Sequence, residues 1–482
     1  MEHCGYVVVV KNIRPHPNAD RLQIATFFGN DVCVGLDVVV GEIGVYFPSD
    51  LQLSEEFCRE NDLVRRKTED GKPAGGYLDP DKRNIKAIKL RGEKSDGIFM
   101  PLKAFTYTGI NMDDLNEDDH VQVLNGHPIC DKYIPRTNHR TGRPTEGNRT
   151  RKKKVNIAPL FAEHADTEQL AYNLGAFKPG DEIEITLKMH GTSQRTARLP
   201  VFTKFKRTFL DWLNRRDGTP IYDWGYVSGT RRVVLNDYNG GFYGSNAFRE
   251  QHSKFFEGKL HKGEEVFYEV VGFTDTGAPI MANGDNEKLG KDFVKQYGKE
   301  TVFSYGCSPN GTAVYSSRPL GTIVVEEGLP QSDIYVYRMT MTNEDGDVVE
   351  YTPDFMRYRC EQMGVKTVPV LFRGHITRAG IHGDGAFEYH VSDGIKMGAC
   401  YGDGTIGDMI RAAAEQFYDG PDPIGKTHTR EGVVVRILNR PKFCAYKHKN
   451  HEFKMLEGLI KETADAPDME EAQSLVEEEE EV

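Results

Sequence analysis

Between Asp181 and Lys188 apolar and polar side chains alternate: Ile183, Ile185 and Leu187 fall on one face of a strand, and Glu182, Glu184, Thr186 and Lys188 on the other, until Gly191 ends the pattern. The alternation places a lysine where strand meets turn. Such a position holds an amine rigidly beside a ligand, whereas a lysine in mid-loop swings freely. Lys-x-x-Gly alone fits a solvated lysine at a strand end equally well, so Lys188 needs partners elsewhere in the chain.

Short β-rich runs also fill the N-terminal region, at Tyr6–Val10, Val32–Leu36, Val38–Val40, Ile43–Phe47 and Ile85–Leu90. Pro, Gly, Asn and Asp separate them, which predicts a small barrel over 1–130 rather than a helical bundle. Lys82, Arg83, Lys86, Lys89 and Arg91 are candidate phosphate contacts there, since barrels of this kind bind strands by a basic groove and aromatic stacking. Residues 131–157 read as a basic linker rich in Pro, Gly, Thr, Asn and Arg and ending in Arg149-Thr150-Arg151-Lys152-Lys153-Lys154. It is either a solvated tether or a sequence-blind phosphate-binding segment. A second domain is expected over 158–465, opening with a helix start in the Phe161–Gln169 stretch. Residues 466–482, ending in the glutamates Glu477–Glu481, are expected to be an acidic disordered tail.

Composition narrows the class. A chain of 482 residues, 38% hydrophobic and 28% charged, can bury cores in two or three domains. No N-terminal run resembles a signal peptide and no apolar stretch near the start is long enough to span a bilayer, so no membrane role is expected. The eight cysteines are scattered without C-x-x-C spacing, which fits a reducing, intracellular (cytoplasmic) protein without structural zinc. A net charge of −12 argues against indiscriminate nucleic-acid binding, but the charge is unevenly placed. His375, His382 and His390 are too irregularly spaced to argue a metal site, and the role of the surrounding 343–425 segment, with its Gly-rich Tyr401–Gly404, is not legible.

Four segments supply partners for Lys188. Ser228-Gly229-Thr230-Arg231-Arg232 presents guanidinium forks after a turn, able to grip a ribose, a phosphate or a strand end. Val266–Gly272 is an apolar strand interrupted by Glu269, a carboxylate that is costly there unless paired or ligand-bound. In Ile334–Arg338, Tyr335 and Tyr337 share a face and one can stack on a base. Glu431 precedes the apolar run Gly432–Val435, and Lys447 and Lys449, two apart on a strand, point to one side. Singly, each has a bland explanation as surface charge, salt bridge or core.

The order of these segments resembles motifs I, Ia, III, IIIa, IV and V of the covalent nucleotidyltransferase superfamily, which comprises ATP-dependent ligases and mRNA capping enzymes, over residues from about 160 to 458. His16–Leu22, Val38–Gly44 and Ile88–Gly92 resemble tRNA-binding OB modules and, with Ser95–Leu102, look even more like the N-terminal OB domain of certain RNA ligases, so the chain looks most like nick-sealing RNA ligases that carry that domain. The resemblance implies an α+β protein: an OB-like β-barrel followed by a nucleotidyltransferase domain of ATP-grasp-like antiparallel β-sheet and helices. No C-terminal OB domain is expected, because the stretch between Lys449 and Val482 is too short for one. It also implies a role for each site residue. Lys188 attacks the α-phosphate of ATP to give lysyl-AMP and pyrophosphate. Glu431 holds a divalent metal, Mg2+ or Mn2+, through water; Glu269 takes the ribose hydroxyls, Tyr337 the adenine face and Arg231 the ribose or the nick. Lys447 and Lys449 bind the α-phosphate. A lysine of ordinary pKa near 10.4 is almost wholly protonated at neutral pH, so the implied chemistry needs nearby cations to favour the free amine. AMP then passes to a 5′-phosphate and a 3′-hydroxyl displaces it.

The implied partners are ATP and a nicked duplex RNA or RNA:DNA hybrid, engaged by a monomer. Leu187 stands where many members carry an acidic residue before the lysine, which puts any side-chain contact made there in doubt. The contrasting expectation is an RNA-binding protein with an inactive nucleotidyltransferase domain, or else a DNA ligase or capping-type enzyme.

Overall fold

The computed structural model describes residues 3–68, 73–134, 156–162, 164, 167–209, 213, 218–231, 234–235, 238, 246–309, 312–316, 323–327, 329–378, 380–383 and 405–460. The basic run Arg149–Lys154, Arg232, His390, Tyr401–Gly404 and the acidic tail lie outside the described residues. Antiparallel sheets dominate and helices are few and short. The chain divides into two compact units, Met1–Pro135 with Lys449–Glu462, and Arg136–His448 with Thr463–Val482.

In the first unit the strands Ile98–Pro101, Ile43–Phe47, Gly5–Val9 and His120–Val121 lie side by side in that order. Leu22–Phe27 and Asn30–Gly35 form part of a three-stranded sheet. Val7, Val45, Phe47, Phe57 and Phe105 are fully buried and close the core. The run Val38–Val40 is a turn rather than a strand: Val39 and Val40 stay 58% and 64% exposed, so apolar content alone misled there. The last described helix, His451–Ile460, packs into this unit, where Lys454 donates to the buried Asp96 carboxylate at 2.5 Å and Glu452 meets Lys89 at 3.3 Å. Burial acts to push the Asp96 carboxyl up, but the Lys454 ammonium outweighs it and holds it below the ordinary range. The expected basic cluster is tied down piecemeal. Arg83 donates to the Leu53 carbonyl, Arg91 to the Asn18 carbonyl, and Lys89 is ion-paired.

The second unit contains two larger sheets. One orders Glu168–Gln169, Ala445–Lys449, Gly432–Ile437, Glu182–Lys188, Val370–Thr377 and Gly380–Gly383. The other orders Thr219–Gly229, Thr192–Lys206, Glu264–Gly272, Ser332–Thr342 and Val348–Glu350, with Lys366–Thr367 added in parallel to Ser332–Thr342. Ile183, Ile185 and Leu187 are buried, as the alternation requires. The opposite face is not uniformly wet, because Glu184 is also buried and paired with Arg357 at 2.9 Å. The helix expected to start within Phe161–Gln169 does not form among its described residues. Glu168–Gln169 instead pairs in parallel with Tyr446 and Lys447, a tertiary pairing that overrides the local capping signal.

Helix Ala247–Phe255 fixes the start of the second sheet. The fully buried Arg249 donates to the Ser193 carbonyl at 3.1 Å and to Thr192 Oγ1 at 2.6 Å, while Gln194 donates back to the Arg249 carbonyl at 2.9 Å. On the same helix His252, buried and hydrogen-bonded to Ser332 Oγ at 2.8 Å, is pushed down by burial from 6.5 to about 4. Because the unfolded chain takes up this proton first, its contribution is complete above pH 6.5 and is lost as pH falls towards 4. The loss amounts to about 3 kcal/mol. Urea unfolding at pH 7 and pH 4.5 should show that loss, and His252→Gln should flatten it; an unchanged pH slope in the variant would refute the assignment.

Candidate active site

Lys188 is the last residue of its strand in the first sheet, and Thr192 is the first residue of its strand in the second. Met189, His190 and Gly191 make the crossing between sheets. Gly191 is required by close approach: a Cβ there would stand 2.4 Å from the Val270 carbonyl oxygen and 2.9 Å from Glu269 Cγ. The turn is thereby pressed against the strand that carries Glu269, itself paired to Ser193 on one side and Tyr335 on the other.

On the neighbouring strand Gly432 pairs with Lys188, so the preceding Glu431 lies beside the lysine. Its Oε1 is 2.7 Å from Lys188 Nζ and its Oε2 is 3.5 Å from His190 Nδ1. Glu431 is 3% exposed and the Lys188 side chain 25%, so the carboxylate is the buried partner and the amine the reachable one. The His190 backbone N–H donates to the Tyr305 hydroxyl at 2.7 Å, and the His190 ring meets Phe303 edge-on at 4.6 Å. Behind them His428, fully buried, contacts both Phe303 and Tyr305, and burial pushes its imidazole down towards the neutral form. Burial likewise raises the Tyr305 phenol well above its usual value, which keeps it a neutral hydroxyl.

The remaining expected residues arrive by different routes. Tyr337 is the extra residue of a β-bulge, since Val336 pairs with Tyr268 and Arg338 with Phe267. Tyr335 is 6% exposed and Tyr337 is half-buried, its ring 6.2 Å from that of His164. The two tyrosines are thus unequal, and Tyr337 is the accessible one. Arg231 follows the strand Thr219–Gly229, and its carbonyl accepts from the His164 N–H at 3.0 Å. Lys447 lies on the strand Ala445–Lys449, two strands across the sheet from that of Lys188, or about 10 Å at ordinary strand spacing. Lys449 Nζ bonds both oxygens of Glu457, at 3.1 and 2.8 Å.

His190, Phe303, Tyr305 and His428 were not singled out from the sequence. His190 stands inside the Lys188–Gly191 stretch and offered a signal; Tyr305 is 115 residues from it and offered none. Among the described residues no group of three or more His, Cys, Asp or Glu side chains forms a metal cage. His375 and His382 do stack, at 5.4 Å, as directly opposed residues of adjacent strands. The seven cysteines among the described residues are free thiols, and no described helix is long and apolar enough to cross a membrane.

The chain has the fold of an RNA ligase. Similar solved structures include those of Naegleria gruberi RNA ligase: a variant with AMP and Mn (TM-score 0.52, 15% identity, 94% of this chain and 98% of that one), a variant with ATP and Mn (0.51, 16%, 94% and 97%), and the ligase with PPi (0.51, 15%, 94% and 98%). No family model and no curated protein matches the sequence.

Proposed function

We propose that the chain is an ATP-dependent RNA ligase that seals nicks through a lysyl-AMP intermediate. The observation that carries this reading is Lys188 at the sheet-to-sheet turn, held 2.7 Å from the buried Glu431 of the next strand. It is supported by a likeness in fold to a ligase solved with ATP, AMP and PPi.

In this mechanism Lys188 Nζ attacks the α-phosphorus of ATP, an N–P bond forms, and pyrophosphate leaves with the electrons of the broken P–O bond. Glu431 Oε1, 2.7 Å from Nζ, positions the amine at the turn. Glu269, at the floor of the turn, takes the ribose hydroxyls; Tyr337 stacks on adenine; Arg231 binds the ribose or the nick; Lys447 and Lys449 bind phosphate. Lys449 would exchange its contact with Glu457 for that role. Glu431 would hold a divalent metal, Mg2+ or Mn2+, through water, and the metal would offset charge on the α-phosphate. A 5′-phosphate oxygen next displaces the lysine from AMP, and the 3′-hydroxyl then displaces AMP to form the phosphodiester. The first unit is assigned the OB-type role of engaging the nicked duplex.

Sealing rates on nicked duplexes with RNA or DNA at each terminus test the substrate. A 3′-hydroxyl RNA end, in duplex RNA or in an RNA:DNA hybrid, should be sealed at least about tenfold faster than a DNA end, which keeps the 3′-hydroxyl but lacks the 2′-hydroxyl that an RNA-selective site binds. Equal rates with DNA on both sides would remove the RNA assignment.

A further inference from the structure

The strand that leaves the Lys188 turn is much longer than the sheet it joins. Thr192–Ala197 pairs with Glu264–Gly272, but the strand runs on to Lys206 with Thr219–Gly229 as its one strand neighbour among the described residues. A two-stranded ribbon of this kind is marginal alone and persists only if one face is anchored. A β-bulge at Thr203 arranges that anchoring. Phe202 pairs with Tyr222 and Lys204 with Ile221, so one extra residue flips the alternation and brings Phe202 and Phe205, three apart, to the same side. Their rings meet at 4.9 Å and Tyr222 joins them at 6.2 Å. The Phe202 N–H donates to the Ile157 carbonyl at 2.7 Å and the Tyr222 hydroxyl to the Asn156 carbonyl at 3.1 Å, tying this end of the ribbon to the chain segment before it.

The same flip turns Lys204 and Lys206 to the opposite face. Both are exposed, and neither has a carboxylate partner among the described residues. The two lysines thus leave the strand from Cα positions about 7 Å apart on one face. The sequence joining the strands adds Arg207, Arg215 and Arg216 against Asp211 and Asp217, a local positive excess in a chain of net charge −12. Like charges set side by side on one face cost stability, a cost that an anionic partner would relieve. Cations that meet phosphates carry no sequence information, which matches a sequence-blind partner, as in recognition of A-form RNA by shape and phosphate contacts.

We propose that this ribbon is an arm that grips the sugar–phosphate backbone of the duplex RNA substrate, with Lys204 and Lys206 as its phosphate contacts. The inference rests on the ligase reading for the identity of the substrate, and its test is arranged to be scored separately. Full-length wild-type protein, Lys204→Ser/Lys206→Ser and Lys204→Arg/Lys206→Arg are titrated with nicked duplex RNA without ATP across a salt series, and labelled separately with ATP alone. The serine variant should bind about tenfold more weakly at low salt, with a salt slope shallower by about 2, one for each lost phosphate contact. The arginine variant should bind as wild type does, and AMP labelling should stay within about twofold in all three.

Unchanged affinity and slope in the serine variant, or equal weakening in the arginine variant, would overturn the proposal. So would failure of the wild type to bind duplex RNA, or loss of binding to phosphatidylserine vesicles in place of RNA. Absence of AMP labelling in the wild type would count against the ligase reading, while the binding series would still decide the arm.

Discussion

Lys188→Ala is expected to abolish covalent labelling by ATP and, with it, ATP-dependent sealing, a loss of about 10^4-fold or more because the nucleophile itself is removed. The loss should be specific to the first chemical step. Once the 5′ end already carries AMP, the 3′-hydroxyl attacks a phosphorus that no longer involves the lysine. The same variant should therefore seal a pre-adenylylated nick within about a hundredfold of the wild-type rate. Equal defects on both substrates would mean that Lys188 supports the fold of the site rather than the transfer. The local geometry argues against that outcome. Lys188 closes its strand through backbone pairing with Gly432, the adjoining turn is held by Gly191 packing and by the Tyr305 hydroxyl, and the lysine side chain is the reachable member of the pair with Glu431.

The second large effect concerns stability. Glu264 has no exposed surface, and Arg359 clamps it with two parallel hydrogen bonds of 2.8 Å, while Tyr351 and the His261 N–H supply two more. Burial alone would raise this carboxyl, but the guanidinium and the N–H outweigh it and hold it below its ordinary value. Removing the arginine strands a buried charge, so Arg359→Ala should cost about 3–5 kcal/mol in urea unfolding. Arg359→Met combined with Glu264→Gln should recover much of that, because the buried charge disappears along with its partner. A cost below about 1 kcal/mol for the single variant would show that water reaches the carboxylate. Arg195 and Glu265 form a second buried pair at 2.9 Å, with burial shifting each towards its neutral form.

How much of this was legible beforehand follows from the range of each signal. The Lys188 strand was readable because Ile183, Ile185 and Leu187 alternate with period two and face a core, and its neighbour Gly432–Ile437 carries a run of valines. What the pattern could not carry was irregularity and long-range pairing. A strict period-two reading puts Tyr335 and Tyr337 on equal terms, whereas the bulge separates them. Lys447 and Lys449 look equivalent in sequence, yet Lys449 is held by Glu457. Glu184 reads as a solvent-facing residue and proves to be the buried partner of Arg357, a residue far away in the chain. The second layer of the site, Phe303, Tyr305 and His428, comes from loops with no periodic signal, and only the folded chain brings them to His190.

The central claim is tested most directly by incubating the full-length protein with ATP and Mn2+, digesting it and locating AMP by mass spectrometry. The account predicts a single adduct, phosphoramidate-linked to Lys188, that is released when nicked RNA is added. An unmodified protein, or AMP on any other residue, would contradict it.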